Sequence, residues 1–273
     1  MEQKLVQPTA DQITTLNRWR TSTFWVMLVG YVGYYLCRGN LPIAMPLLSK
    51  EFGYSNTELG IILTFSELAY AVGKLVTGPY ADKIGGKKIF LIGMAGAIVF
   101  NVAFPFFSSL LMFTVIWCLC RFFLSMGWGG IIKTIGEWYE SERNGTIMGL
   151  ISINFQFGSV AASIFCAYLI AWGVGWKGLF FYPAAALTVI FIWSYFASKE
   201  TPQDVVPNVQ FGKNNSARKA IANFETEARQ NPWVIVRELF KIDLFRKILV
   251  FAFMAHLLRS FFMFWTPKFL VDL

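Results

Sequence analysis

Gly78-Pro79-Tyr80-Ala81-Asp82-Lys83-Ile84-Gly85-Gly86-Lys87-Lys88 joins two apolar runs, residues 59–81 and 88–107. Its glycines permit a tight turn between two helices, and Asp82 can accept hydrogen bonds where neighbouring helices pack closely. Its lysines mark a membrane face, because basic residues stay on the cytoplasmic side of a bilayer. Reading outward, further apolar runs fall at 23–48, 109–132, 147–171, 178–197 and 248–270. Each is long enough to cross about 30 Å of hydrocarbon at about 1.5 Å per residue. Backbone groups in lipid must satisfy one another, so the runs are expected to be helices and the chain an all-α membrane protein. In the first run the apolar residues are interrupted by Arg38, Gly39, Asn40 and Pro42.

Composition agrees with this class. Of 273 residues, 56% are hydrophobic, 18% aromatic and 15% charged. The net charge of +8 is unevenly placed. Seventeen of the 24 lysines and arginines lie in the N-terminus, the 2–3 and 4–5 loops and the long 198–247 connection. That asymmetry predicts a cytoplasmic N-terminus and assigns the basic excess to topology, not to a nucleic-acid partner; the expected location, a bacterial inner membrane, does not follow from it. The four cysteines, Cys37, Cys118, Cys120 and Cys166, sit in apolar runs without metal-ligand spacing and read as small buried residues. The sequence shows no P-loop, no GxGxxG after a strand, no metal cluster and no nucleophile triad. The chain therefore reads as a non-enzyme that needs no cofactor.

Four basic residues fall inside the spans: Arg38, Lys74, Arg121 and Arg259. A charge at mid-bilayer costs on the order of 3 kcal/mol on insertion scales, so such residues are expected to face a partner or a polar cavity. Arg38 and Arg259 share a context, Leu-x-Arg followed eight residues on by Pro46 and Pro267. The echo, across a long polar linker, suggests a duplicated plan. The expected divisions are a cytoplasmic N-terminus (1–22), a six-helix bundle (23–197), a cytoplasmic linker (198–247) and the first helix of a second bundle (248–273). Within the linker, Trp233 to Phe240 has the spacing of a helix; a membrane-surface helix and a solvated linker helix are equally open.

The 78–88 stretch resembles the G-x-x-x-D-[RK]-x-G-x-[RK]-[RK] signature of the major facilitator superfamily. Three blocks are similar to its organophosphate:phosphate antiporter family: Gly33–Asn40 with Ala44-Met45-Pro46, Ala69–Lys74, and Leu257-Leu258-Arg259 with Trp265-Thr266-Pro267. The resemblance implies a helical bundle cut short, about seven of twelve expected spans, with a missing C-terminal half to complete it. It implies transport of glycerol-3-phosphate or a sugar phosphate in exchange for inorganic phosphate. A transporter-fold sensor of sugar phosphate and a facilitator of another organic anion are the alternatives.

The resemblance further implies that Arg38 and Arg259 flank the phosphate, with Lys74, Tyr31, Tyr35, Tyr70 and His256 around them. Guanidinium forks suit phosphate oxygens, and tyrosine hydroxyls add neutral donors. Helical spacing places Tyr31, Tyr35 and Arg38 on one stripe, and Glu67, Tyr70 and Lys74 on another. Glu67 is a candidate ion-pair partner for one of the cations. Lys74 also admits a reading as a residue reaching to the interface, His256 one as a hydrogen-bonded wall residue or a proton carrier, and Arg121 one as packing or function. Gly78, Asp82, Lys83, Gly85, Glu142 and Arg143 read as structural or gating residues. His256, Gly129-Gly130 and Asn154 with Gln156 depart from the glycerol-3-phosphate pattern, so the organic half of the substrate is unassigned.

Overall fold

The computed structural model describes residues 8–207, 209, 211, 237 and 240–272. The expected helix from Trp233 to Phe240 lies largely outside the described residues. The chain divides into two units, Met1–Lys213 and Asn214–Leu273.

The first unit is a bundle of α1 (Ala10–Phe52), α2 (Asn56–Ile84), α3 (Gly86–Ala103), α4 (Leu110–Leu124), α5 (Met126–Trp138), α6 (Ser141–Ser152), α7 (Asn154–Ala171) and α8 (Gly178–Ala197). The second unit contains α9 (Asp243–Asp272). Six stretches among the described residues are long and apolar enough to cross a membrane: Asn56–Gly78, Gly86–Phe106, Leu110–Trp138, Glu142–Ala171, Gly178–Ala197 and Asp243–Leu270. Two of these are helix pairs, α4 with α5 and α6 with α7, each interrupted at a single residue, Ser125 or Ile153. The longest helix, α1, is not among the six, because its tyrosines, Arg38, Asn40 and prolines dilute its apolar residues.

Local chemistry sets several boundaries. α1 starts at Thr9, whose N–H donates to Gln12 Oε1 at 3.0 Å, and stops at Gly53, which takes a left-handed φ of 73°. It runs without a break through Pro42 and Pro46. The polar residues that interrupt the apolar run therefore do not interrupt the helix. α2 opens with a capping box: Ser55 N–H donates to Glu58 Oε2 at 2.8 Å, and Glu58 N–H to Ser55 Oγ at 3.3 Å.

In the bundle, α1 packs on α7 and α8, α2 on α4 and α5, and α3 lies against α4, α5 and α8. One end is filled by aromatic rings, with Phe104 stacked on Phe180 at 4.3 Å and on Phe113 at 4.6 Å. Nearby, Asn40 Nδ2 donates to Asn101 Oδ1 at 2.7 Å and to the Leu179 carbonyl at 3.1 Å, tying α1, α3 and α8 through a buried polar junction. At the opposite end, residues following α8 close over the α2–α3 turn. Glu200 accepts from the Lys87 and Lys88 backbone N–H groups at 3.0 and 3.2 Å. A carboxylate there meets the unpaired N–H groups of the α3 N-terminus. Gly85 between the two helices has φ 106°, a region that side chains disfavour. The four cysteines are unpaired.

Candidate functional site

Midway along the bundle, α1, α2 and α4 bring charge to a single ring. Tyr70 of α2 is buried, 9% exposed. The Arg38 guanidinium carbon lies 4.9 Å from the Tyr70 ring centre, Lys74 Nζ 4.8 Å and the Arg121 guanidinium carbon 4.6 Å. Cations are attracted to the negative face of an aromatic ring, so one neutral side chain eases the crowding of three positive groups. Arg38 also donates from Nη1 to the Tyr70 hydroxyl at 3.5 Å. Its Nε is buried without a hydrogen-bond partner among the described residues.

The stripe on α1 adds a wall of rings. Tyr31, Tyr34, Tyr35, Arg38 and Tyr70, with Leu124, line a small cavity of ≈ 10 Å³, about the size that holds one water. Tyr35 lies 5.7 Å from the Arg38 guanidinium carbon and 5.5 Å from Tyr31. Beyond Tyr31 stand Trp128 of α5 at 5.7 Å and Phe155 of α7 at 6.0 Å. Tyr34 turns away into the packing and donates its hydroxyl to the Phe90 carbonyl at 2.6 Å. Tyr31, Tyr35, Arg38, Tyr70 and Lys74 therefore gather in one region. Among the described residues, Glu67 pairs with Arg121, whose side chain is 2% exposed. Asn154 is occupied structurally, donating to the Leu28 carbonyl at 2.8 Å.

The remaining candidates lie on other elements or at other positions of α2. His256 and Arg259 lie one turn apart on α9. Gly78 and Lys83 lie in the C-terminal part of α2, and the Asp82 side chain falls outside the described residues. Glu142 and Arg143 lie in the first turn of α6. Arg143 Nε approaches Glu140 Oε2 at 3.9 Å, an exposed contact of little energy. Sequence reasoning did not anticipate Trp128, Phe155 or Glu200. The first two stand near the tyrosines through packing of α1 with α5 and α7, for which no local spacing gives a signal. Among the described residues no cluster of His, Cys, Asp or Glu could hold a metal ion.

The arrangement can attract and hold an anion. It offers two guanidiniums, an ammonium and several hydroxyls, set against one carboxylate.

Residues 27–273 match the family model described as Major Facilitator Superfamily. The glycerol-3-phosphate transporter of Bacillus subtilis (strain 168) is 27% identical over 266 residues, which is 94% of this chain and 58% of that protein. A probable hexose phosphate transport protein of Chlamydia pneumoniae is 27% identical over 187 residues, 68% of this chain and 41% of that protein. A membrane sensor protein of Escherichia coli (strain K12) is 25% identical over 187 residues, 68% of this chain and 42% of that protein. The chain thus spans about half the length of the curated relatives it matches.

Proposed function

The chain belongs to the Major Facilitator Superfamily and is an integral, multi-pass membrane protein, and from that premise we propose that it transports phosphorylated organic anions, glycerol-3-phosphate or a sugar phosphate, in exchange for inorganic phosphate by alternating access. The observation that carries this reading is the surplus of positive charge around Tyr70, where Arg38, Lys74 and Arg121 face one carboxylate, Glu67. Arg38 is proposed as the principal phosphate ligand, since its buried Nε has a hydrogen-bond donor to spare. Tyr31, Tyr35 and Tyr70 supply neutral contacts and Lys74 a point charge. Arg259, with His256 beside it on α9, is proposed as a further phosphate-binding guanidinium. The names of the relatives from Bacillus subtilis and Chlamydia pneumoniae support a phosphorylated substrate.

Exchange follows from charge. An empty site leaves buried cations unneutralised, which disfavours reorientation between the two faces. The test is phosphate efflux from proteoliposomes carrying the whole protein. Efflux should require an organic phosphate or phosphate on the other side; release into phosphate-free medium at the same rate would sink the exchange reading. The relative named as a membrane sensor supports a second reading, ligand binding without turnover. Saturable phosphate binding with no flux in the same vesicles would select it.

A further inference from the structure

Glu67 and Arg121 form a pair that phosphate recognition at Arg38 does not use. Arg121 sits on α4, 2% exposed, and donates one terminal nitrogen to Glu67 Oε1. Its other terminal nitrogen is buried without a hydrogen-bond partner among the described residues. The Glu67 side chain is 29% exposed. Its Oε2 makes no hydrogen bond to a described residue. A carboxylate needed only to cancel Arg121 would be expected to lie buried with it, since open solvent or cavity weakens the pairing. Instead the Glu67 side chain keeps part of its surface open.

Its position supplies the direction. Glu67, Tyr70 and Lys74 follow one another along a single face of α2, at helical spacing of three and four residues. The seven residues from Glu67 to Lys74 rise about 10 Å. One end of that face carries an acceptor. The other carries Lys74, and Tyr70 between them receives Arg38. A ligand lying along it meets Lys74 at one end, the Arg38 and Arg121 guanidiniums at Tyr70 in the middle, and a carboxylate at the other end. Hydroxyl groups donate to a carboxylate, whereas a second negative group is repelled by it.

We infer that Glu67, positioned by Arg121, accepts hydrogen bonds from the hydroxyl groups of a phosphorylated sugar or polyol whose phosphate lies at Arg38 and Lys74. This rests on the phosphate reading above and adds to it the residue that reads the organic half of the substrate. It excludes phosphorylated carboxylic acids as preferred ligands. Glu67 is thereby a specificity-determining residue, and Arg121 acts through it.

Equilibrium binding to the purified chain in detergent provides the test, with inorganic phosphate, glucose 6-phosphate and 3-phosphoglycerate as probes. The unaltered chain should bind glucose 6-phosphate at least about tenfold more tightly than 3-phosphoglycerate, the worth of a hydrogen bond to a charged group. Equal affinities overturn the inference without any substitution. Glu67→Gln should shrink that preference, read as the ratio of the two affinities, about tenfold, while inorganic phosphate still binds. Because Glu67→Gln leaves Arg121 unpaired, the double variant Glu67→Gln with Arg121→Gln should show the same loss of preference in a chain relieved of both charges. A preference that survives in both variants, with phosphate still bound, overturns the role of Glu67 alone. Absence of phosphate binding to the unaltered chain overturns the phosphate reading itself and this inference with it.

Discussion

The middle of the bundle and the end at the α2–α3 turn treat charge in opposite ways. At the turn, Glu200 spans two backbone N–H groups. Lys87 Nζ reaches the Tyr195 and Ser198 carbonyls at 2.9 and 2.6 Å, and Trp138 Nε1 reaches the Lys199 carbonyl at 3.2 Å. Each of these groups meets a fixed backbone acceptor or donor, and a group left over there, Thr134 Oγ1 beside Gly86, is a neutral hydroxyl without a partner among the described residues. In the middle, Arg38 and Arg121 each keep a buried nitrogen without a partner among the described residues, and Tyr70 takes up three cations by its ring. A bundle built only for stability would not leave charged donors unpaired in its middle, because a buried unpaired donor costs about 1–3 kcal/mol and a charged one more. Under the proposed function, the difference separates a region that holds the helices together from one that reserves binding capacity for a ligand.

The largest effect should come from Arg38→Met. Phosphate affinity of the purified chain should fall by at least about 100-fold, the loss expected when a guanidinium contact to a buried anion is removed. Thermal stability should change little, since the variant removes a buried charge whose Nε has no partner among the described residues but also breaks the 3.5 Å contact to the Tyr70 hydroxyl and the ring contacts to Tyr70 and Tyr35. A variant that unfolds several degrees earlier while still binding phosphate would erase the distinction between the two regions. Next in size is Gly86→Ala at the turn end. A Cβ there would come within 2.6 Å of the Thr134 backbone nitrogen and 2.7 Å of the Gly130 carbonyl oxygen, atoms that cannot rotate away. Destabilisation of about 1–3 kcal/mol is expected from forcing α3 and α5 apart, read by thermal unfolding in detergent. Phosphate affinity measured below the transition should be unchanged.

Much of the architecture was legible in the sequence. The run 178–197 coincides with α8, Gly178–Ala197, because apolar length alone sets the ends of a span bounded by polar residues. The first run, read as 23–48, is instead the inner part of a helix that begins at Ala10. The extension is polar and amphipathic, so hydropathy passes over it, while the Thr9–Gln12 pair that starts it is a short-range signal. The breaks at Ser125 and Ile153 carry no proline and went unseen. Helical spacing was enough to group Tyr31, Tyr35 and Arg38 on one face. It was not enough to choose a partner for Arg121: that pairing with Glu67 joins residues 54 apart and depends on how α2 packs against α4. Glu200 was hidden for the same reason, since it reads locally as the start of a linker and meets Lys87 113 residues away.

A smaller effect sharpens the comparison from the turn end. Glu200→Ala removes the acceptor from both N–H groups and a negative charge from the α3 N-terminus. The site is partly open, so the cost should be about 1–2 kcal/mol and not the full price of a buried pair. Phosphate affinity should stay within about twofold, since a contact of purely structural use adds little to binding at a distance. A large loss of affinity would show that the turn is coupled to the cation cluster and that the two regions do not act separately.

The smallest effect concerns Tyr139, which lies between α5 and α6 near that same end. Burial pushes its hydroxyl above the usual 10.0, and the Arg20 guanidinium, 5.4 Å from the ring centre, pulls partly the other way. A phenol whose folded pKa is raised holds its proton more tightly in the folded state than in the unfolded one. Its stabilising contribution is therefore complete below the unfolded pKa and declines as pH climbs from there through the folded value. Thermal unfolding measured between neutral pH and pH 11 should show stability falling above pH 10, and Tyr139→Phe should make that fall shallower. Steepening in the variant would mean that Arg20 outweighs burial and that this end, like the middle, leans on a cation to hold an anionic group.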